Sequence, residues 1–91
     1  MKKLQPTTQY RKDYKKIRKN RDKVKALTDV LRYLETGKPI PAHYKPHILH
    51  GNYKGCMECH IEGDFLLIWV DPDTDIIELV RLGSHAELFG K

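Results

Sequence analysis

Three histidines in the second half of the chain carry the side chain best suited to moving protons at neutral pH. His47 lies in a proline-containing segment, His60 lies in a short alternating stretch, and His85 follows a second alternating stretch. An unperturbed imidazole titrates near pH ~6.5 and can serve as an acid or a base. Taken singly, each histidine is better explained as an ordinary surface or core residue. Together with Asp64 and Arg81, the three favour proton transfer at a phosphodiester.

The run GCMECH, residues 55–60, contains the C-x-x-C-H pattern to which a haem can be covalently attached. If this run is a β-strand, Cys56 and Cys59 point to opposite faces, so neither a porphyrin nor a zinc ion can bind both thiols from one side. No second C-x-x-C pair is present, and further zinc ligands would have to come from His43, His47, His50 and His60. We therefore expect no haem, no metal and no other cofactor.

With 91 residues, the chain has room for one small domain, residues 1–91, with one modest core. Its first residues, MKKLQPTTQY, include two lysines but are followed by no apolar stretch and no small-residue cleavage site. No segment approaches the length of a membrane span. These features predict a cytoplasmic protein without membrane contact, in which the two cysteines are not expected to form a disulfide framework.

Positive charge is concentrated in the first part of the chain. Residues 1–36 carry 12 Lys and Arg against 4 Asp and Glu, whereas residues 37–91 carry 5 against 8. This segregation favours a polyanionic partner such as nucleic acid, although a solvated lysine-rich helix face would show the same pattern.

A first amphipathic helix is predicted within this basic part. Tyr10, Tyr14 and Ile17 recur at helical spacing, after a cap at Thr7 or Thr8. The opposite side of the helix, called the basic face below, consists of Arg11, Lys12, Lys15, Lys16, Arg18 and Lys19.

A second helix is predicted after Asn20. It should end at Gly37, because glycine readily adopts the left-handed conformation that commonly ends a helix. Its apolar stripe consists of Val24, Leu27, Val30, Leu31 and Leu34. The two helices should form a hairpin. The following segment, residues 38–52, contains three prolines and is predicted to be irregular.

From residue 53 onward the apolar period changes from 3.6 to 2. Residues 56–61 alternate, FLLIWV is a continuous apolar run, DPDTD is a turn cluster and IIELVRLG alternates again. This pattern predicts three antiparallel strands, with a hairpin turn about residues 71–75, and the leading KKLQ could supply an edge strand. The predicted fold class is therefore α+β, with an N-terminal helical hairpin packed on one face of a small antiparallel β-sheet.

Two segments, HILHGNYKGCMECHIEGDFLLIWV and VRLGSHAELFG, resemble the YafQ branch of the RelE superfamily, the toxin halves of bacterial type II toxin–antitoxin pairs. The branch has approximately the pattern H-x-L-x-G-x-[WY]-x-[GP]-x-[RE]-[DE]-x-H-[IV], followed later by R-x-G-[ST]-H-[AS]-x-L-F. Glycines and polar positions occur in the same order with nearly the same spacing, and the likeness extends over about residues 4–90. The two cysteines depart from the family pattern and look like local substitutions.

The resemblance implies an mRNA interferase, a metal-independent endoribonuclease that enters the ribosomal A site and cuts the message there. The implied reaction is attack of the ribose 2′-OH on the adjacent phosphorus, leaving a 2′,3′-cyclic phosphate and a free 5′-OH. Such a reaction needs a base, an acid and positive charge near the phosphate oxygens. The family's functional positions fall on His47, His60, Asp64, Phe65, Arg81, His85 and Phe89.

The resemblance also suggests roles. His85 is expected to be the general acid and either Asp64 or His60 the base, while His47 and Arg81 would hold the phosphate.

Several aromatic residues are expected near the RNA. Phe89 should position the nucleotide or the general acid, and Phe65, Tyr53 and Lys54 are candidate substrate-binding residues. For Tyr53, stacking on a base and packing inside the protein remain open. Trp69 lies in the continuous apolar run and should pack in the core.

The resemblance implies partners for the basic face. It would lie along RNA of the 70S ribosome, where phosphate contacts position a protein without reading sequence. It could also dock a cognate acidic antitoxin, which is expected to carry a DNA-binding N-terminal dimerisation domain and to fold on binding. The alternative is a non-catalytic nucleic-acid-binding module on the same fold, and the presence of His47, His60, Asp64 and His85 together argues against it.

Overall fold

The computed structural model describes residues 1–72 and 74–90, and these form an α+β fold around one five-stranded sheet. The strands are β1 (Lys3–Pro6), β2 (His47–Ile48), β3 (Met57–Glu62), β4 (Phe65–Val70) and β5 (Ile76–Gly83). The helices are α1 (Thr8–Ile17), α2 (Arg21–Thr36) and α3 (His85–Phe89). The strand order is β1-β5-β4-β3-β2. The predicted fold class is confirmed.

Both predicted N-terminal helices are present, and local caps explain their bounds. The Thr7 side chain accepts a hydrogen bond from the Tyr10 N–H at the start of α1, and Asn20 caps α2 in the same way. Gly37 ends α2 with φ 71°, a left-handed conformation that glycine adopts without strain. Helix α1 packs mainly against β5 and α2 against β3, so the contacts that hold them are to the sheet. Their pairing as a hairpin stays a prediction.

The prediction of a purely antiparallel sheet is wrong at one edge. Strand β1 pairs with β5 in parallel, while the other three pairings are antiparallel. Helices α1 and α2 and strands β2–β4 separate β1 from β5 in the chain, so no hairpin imposes the antiparallel direction. The segment predicted to be irregular also contributes the two-residue edge strand β2, which is too short to show an alternating pattern.

The sheet has a hydrophobic core on each face. Helices α1 and α2 cover one face, where Leu27, Val30 and Leu67 are buried, and α3 covers the other through Leu88. Strand β4 is buried on both faces, which explains its continuous apolar sequence. Trp69 is 3% exposed on the face covered by α1 and α2, so its predicted core role is confirmed.

The two cysteines lie on opposite faces of the sheet, as predicted. Cys59 is fully buried in the core under α1 and α2, whereas Cys56 packs against the core under α3. Burial, with a smaller contribution from the charge of Glu58, raises the pKa of the Cys59 thiol to about 12. Cys59 is therefore a core residue that stays protonated, and it shares no site with Cys56.

Strands β4 and β5 are antiparallel neighbours, so the predicted hairpin connection is present. Its predicted turn, residues 71–75, includes Asp73, which lies outside the described residues. No helix in the described ranges is both long and apolar enough to cross a membrane.

Candidate active site

The fold brings the three predicted histidines together on the sheet face that α3 covers. His47 lies on β2, His60 on β3, and His85 is the first residue of α3. The ring centroids of His47 and His60 are 6.1 Å apart, and those of His60 and His85 are 5.6 Å apart. The three imidazoles therefore form a row, called the histidine row below. The ring of Phe89 extends this row and lies 5.9 Å from that of His85. The predicted grouping of the histidines is therefore present in the structure.

Helix α3 was not predicted from the sequence, although a local signal for it exists. The Ser84 side chain accepts a hydrogen bond from the Glu87 N–H, and the Glu87 carboxylate accepts one from the Ser84 N–H. This capping box corresponds to the S-x-x-E pattern at residues 84–87. It starts the helix at His85 and thereby fixes where that imidazole lies.

Asp64 holds His85 through two hydrogen bonds to one oxygen. The backbone N–H of His85 donates to Asp64 Oδ1 at 3.1 Å, and His85 Nδ1 lies 2.6 Å from the same atom. The backbone bond is the larger cause, and the ring bond the next, that lower the pKa of Asp64. An ionised Asp64 makes Nδ1 the donor and leaves His85 Nε2 as the ring atom available to a substrate.

Glu58 is a site residue that the sequence analysis missed. Its side chain is 3% exposed, and its Oε1 lies 3.0 Å from His47 Nε2 and 3.9 Å from His60 Nε2. The other oxygen, Oε2, is buried without a hydrogen-bond partner among the described residues. The signal was a glutamate at an alternating position within CMECHI, where a buried acid requires a partner.

Both ring nitrogens of His47 have protein partners. Nδ1 lies 2.8 Å from the Lys45 carbonyl oxygen, which can only accept, so Nδ1 carries a proton. Nε2 faces Glu58. His60, in contrast, makes no hydrogen bond within the described part of the chain, and its nearest carboxylate oxygen is 3.9 Å away. The ring nitrogens of His60 are therefore less occupied by protein partners than those of His47.

Three side chains could hold a metal ion. Glu58, His60 and His85 each offer one ligand atom, and these atoms all lie within 4.8 Å of one another. Two imidazoles and a carboxylate form a donor set suited to several transition metals. Neither cysteine belongs to this group, so it differs from the sites considered for the C-x-x-C-H run.

Arg81 contacts Asp13 and Tyr53, and its predicted role at the phosphate stays a prediction. Its Nε and Nη2 donate to the two oxygens of Asp13 at 2.8 and 3.3 Å, and its Nη1 donates to the Tyr53 hydroxyl at 3.1 Å. Asp13, 3% exposed, is a second residue that the sequence analysis missed, because it looks like an ordinary surface residue in a lysine-rich helix. No hydrogen bond or ion pair joins Arg81 to a histidine in the described ranges.

The predicted aromatic contacts divide into two groups. Phe89 is 41% exposed beside His85, a position that can contact a nucleotide. Phe65 is 3% exposed and packs in the core under α1 and α2, with Lys23 Nζ 5.3 Å from its ring centroid. This burial favours a packing role for Phe65, and its predicted substrate-binding role stays a prediction. Its place in the apolar run FLLIWV was the stronger signal.

The other two candidate substrate-binding residues lie near α3. Tyr53 is half-buried, and its ring lies edge-on to Phe89 with centroids 5.5 Å apart. Its hydroxyl accepts a hydrogen bond from Arg81 and donates one to the Leu88 carbonyl oxygen. These two bonds favour packing inside the protein over stacking on a base. Lys54 is exposed at the end of a short turn, and its role stays a prediction.

The basic face is available to a partner. All six of its residues are exposed, namely Arg11, Lys12, Lys15, Lys16, Arg18 and Lys19. Lys16 approaches Glu87 of α3 only at 3.9 Å, with both side chains largely in solvent, and such a pair contributes little to stability.

Comparison with known proteins identifies similar chains. Residues 2–90 match the family model of the bacterial toxin YafQ of type II toxin–antitoxin systems. The mRNA interferase toxin YafQ of Escherichia coli K12 is 40% identical over 85 residues, which cover 90% of this chain and 89% of that protein.

Solved structures of two similar proteins have the same fold. A copper-bound mutant toxin from Helicobacter pylori superimposes with a TM-score of 0.87 at 35% identity, over 98% of this chain and 100% of the other. A chain of the E. coli DinJ–YafQ toxin–antitoxin complex superimposes with a TM-score of 0.85 at 34% identity, over 98% of both chains.

Proposed function

As a member of the YafQ family, to which this chain belongs, the protein is an mRNA interferase toxin of a type II toxin–antitoxin system, and we propose that it cleaves mRNA in the ribosomal A site by histidine-based acid–base catalysis. The observation that carries this proposal is the row of His60 and His85 with their different partners. The ring nitrogens of His60 make no hydrogen bond within the described ranges, whereas His85 is held by a carboxylate.

These two environments suit the two proton transfers of the reaction. His60 accepts the proton of the ribose 2′-OH as its oxygen attacks the adjacent phosphorus. The bond from phosphorus to the 5′-oxygen then breaks, and His85 donates a proton to that oxygen. Asp64 is committed to His85, so that of the two predicted bases His60 fits better. The products are a 2′,3′-cyclic phosphate and a free 5′-OH.

His47 has a different role in this mechanism. With Nδ1 on a carbonyl and Nε2 on Glu58, it has no free nitrogen with which to act as a base. With both ring nitrogens bonded, it could hold a phosphate oxygen, its predicted role, only if one of these contacts opened. Phe89, which has no proton to give, would position the nucleotide or His85.

Cleavage of A-site mRNA is expected to continue when a chelator selective for transition metals is added and Mg²⁺ is kept for the ribosome. A metal ion on Glu58, His60 and His85 would occupy the nitrogen with which His60 accepts a proton and the nitrogen from which His85 donates one, so added Cu²⁺ or Zn²⁺ should inhibit. The reaction should leave a 2′,3′-cyclic or 3′-phosphate, and a message with one 2′-deoxy sugar at the cut site should resist. Gel analysis of the product ends measures this.

Normal cleavage of the deoxy message, or loss of activity in the selective chelator, would contradict the proposed chemistry. The alternative function, a non-catalytic nucleic-acid-binding module, predicts ribosome binding without any new RNA ends. The same assay therefore separates the two functions.

The proposed ribosome contact is through the basic face. Reversing Lys12, Lys15 and Lys16 to glutamate should weaken ribosome binding. The slope of the logarithm of the binding constant against the logarithm of salt concentration should become shallower by about 0.7–0.9 for each phosphate that is no longer bound, because fewer counterions are released. The matched control reverses the exposed Arg21, Lys25 and Arg32 of α2, which changes the net charge equally. Equilibrium binding measured across a salt titration tests this. Equal effects of the two triple variants would mean that only net charge matters.

The proposed protein partner is a cognate antitoxin of acidic composition, and the similar E. coli YafQ forms a toxin–antitoxin complex with DinJ. A groove of about 600 Å³ lies between α1, α2 and β1. Its floor is apolar, with Tyr10, Tyr14, Leu27, Leu31 and Leu79, and its rim carries Arg11, Lys15 and Arg18. An amphipathic segment with acidic flanks would bury its apolar side in the floor and pair with the rim. The DNA-binding domain of that partner remains an expectation.

A further inference from the structure

Arg81 is the centre of a continuous chain of hydrogen bonds that links α1 to α3. On one side its guanidinium is bound by the carboxylate of Asp13 in α1. On the other side it donates to the Tyr53 hydroxyl, and that hydroxyl donates to the Leu88 carbonyl oxygen in α3 at 3.2 Å. The ring of Tyr53 meets Phe89, the residue after Leu88. The chain therefore ends on the helix that begins with His85.

The α1 end of this chain is fixed firmly. The side chains of Asp13 and Arg81 are 2% and 19% exposed, and their contact is the two-pronged arrangement that gives Arg–carboxylate pairs their directional strength. Asp13 also accepts a hydrogen bond from the Leu82 N–H at 3.0 Å. Since β1 pairs with β5 only as far as Leu79, this bond satisfies an N–H on the uncovered edge of β5.

Helix α3, at the other end of this series of hydrogen bonds, depends on tertiary contacts for its position. A helix of five residues is too short to be stable by itself, so its position comes from its cap and its tertiary contacts. The capping box fixes its first turn, and the Tyr53 hydroxyl binds a carbonyl near its last residue. His85 and Phe89, on the exposed side of α3, take their positions from this backbone.

We propose that Asp13, Arg81 and Tyr53 are positioning residues that hold α3, and with it His85 and Phe89, in the geometry needed for cleavage. This inference rests on the proposed function of the histidine row. Arg81 then acts through α3 and not by binding the phosphate, which differs from the role suggested by the family resemblance.

Replacing Tyr53 by phenylalanine removes one hydroxyl and leaves Arg81 and the ring contact with Phe89. The single-turnover cleavage rate is expected to fall about 10- to 100-fold, because a displacement of about 1 Å at a catalytic group has effects of this size. Ribosome affinity should change little, since the basic face is intact. The matched control is Tyr33→Phe. Tyr33 is also half-buried, and its hydroxyl makes no hydrogen bond in the described part of the chain.

Hydrogen exchange gives a readout that does not depend on activity. In Tyr53→Phe the amides of residues 88–90 should exchange faster than in the native protein and in Tyr33→Phe, while the amides of β3 and β4 keep their protection. If the native protein fails to cleave mRNA on ribosomes, the proposed function fails. The exchange result still tests whether the hydrogen bonds through Arg81 and Tyr53 hold α3. Unchanged exchange and unchanged cleavage in Tyr53→Phe would overturn the inference.

A second pair of variants separates positioning from phosphate binding. Lysine at position 81 keeps the positive charge but cannot form the planar contacts with Asp13 and Tyr53, whereas glutamine removes the charge. If Arg81 acts through α3, Arg81→Lys and Arg81→Gln should lose cleavage rate to a similar extent, within about 3-fold of each other. Retention of most activity by Arg81→Lys alone would show that Arg81 acts through its charge on the phosphate and would contradict the proposal.

Discussion

Replacing His85 by alanine is expected to lower the single-turnover rate of mRNA cleavage by about 10²–10⁴-fold, with a much smaller change in ribosome affinity. His85 is the imidazole that Asp64 orients from both its ring and its backbone, and it is half-exposed at the end of the histidine row. Without it, the 5′-oxygen must leave without a proton donor. Rapid-quench cleavage of mRNA bound to programmed ribosomes measures the effect.

The matched control for His85 is His43→Ala. His43 is an exposed histidine whose ring contacts that of Tyr44 in a tilted arrangement, with centroids 4.0 Å apart, and it lies outside the histidine row. Its replacement should leave the rate within about 3-fold of the native value. A native rate in His85→Ala would exclude this residue as the acid, whatever the family membership implies. A loss confined to ribosome affinity would assign His85 to binding.

The sequence predicted those parts of the fold that depend on local spacing. The stripe of α1 reflects one buried helix face, and the apolar run of β4 reflects burial on both faces of the sheet. The caps at Thr7 and Gly37 reflect a local hydrogen bond and a local backbone conformation. The parallel pairing of β1 and the short β2 depend on residues far apart in the chain, and local periodicity carries no information about them. Helix α3 has a local signal, but it is too brief to show a period.

The candidate site was predicted unevenly for a similar reason. The histidines and Asp64 were found because their side chains have distinctive chemistry and match the family pattern. Asp13 and Glu58 have side chains that usually lie in solvent, and only the fold shows that each is buried against a cation or an imidazole. Phe65 was assigned to the RNA because it matches a functional position, whereas its burial follows from the pattern of β4.

Asp13→Ala is expected to destabilise the protein by about 3–5 kcal/mol, the usual cost of leaving one partner of a buried ion pair without the other. Such a loss is a large part of the ~5–15 kcal/mol by which a small domain is stable. Urea unfolding at neutral pH measures it. The control Asp29→Ala removes a half-exposed carboxylate 3.9 Å from Lys25, and should cost no more than about 1 kcal/mol.

The pH dependence of this difference provides an independent check. Burial by itself raises the pKa of Asp13, but the hydrogen bonds from Arg81, Leu82 and Gln9 together with the Arg81 charge outweigh it and lower the pKa below 3.8. A folded-state pKa below the unfolded value means that the ionised carboxylate stabilises the fold above about pH 4. This stabilisation is lost as the pH falls through the folded-state pKa. The gap between native protein and Asp13→Ala should therefore narrow in strong acid.

Removing both charges should cost less than removing one. In the double variant Asp13→Ala with Arg81→Met no buried charge is left unpaired, so we expect it to recover at least about 1 kcal/mol relative to Asp13→Ala alone. The recovered protein should still cleave poorly, because the Tyr53 hydroxyl no longer has its donor and α3 is no longer linked to α1. If the double variant is less stable than Asp13→Ala, the carboxylate acts mainly by holding the Leu82 N–H at the edge of β5, and the ion pair contributes little. If it recovers both stability and cleavage, Arg81 has no role in the reaction.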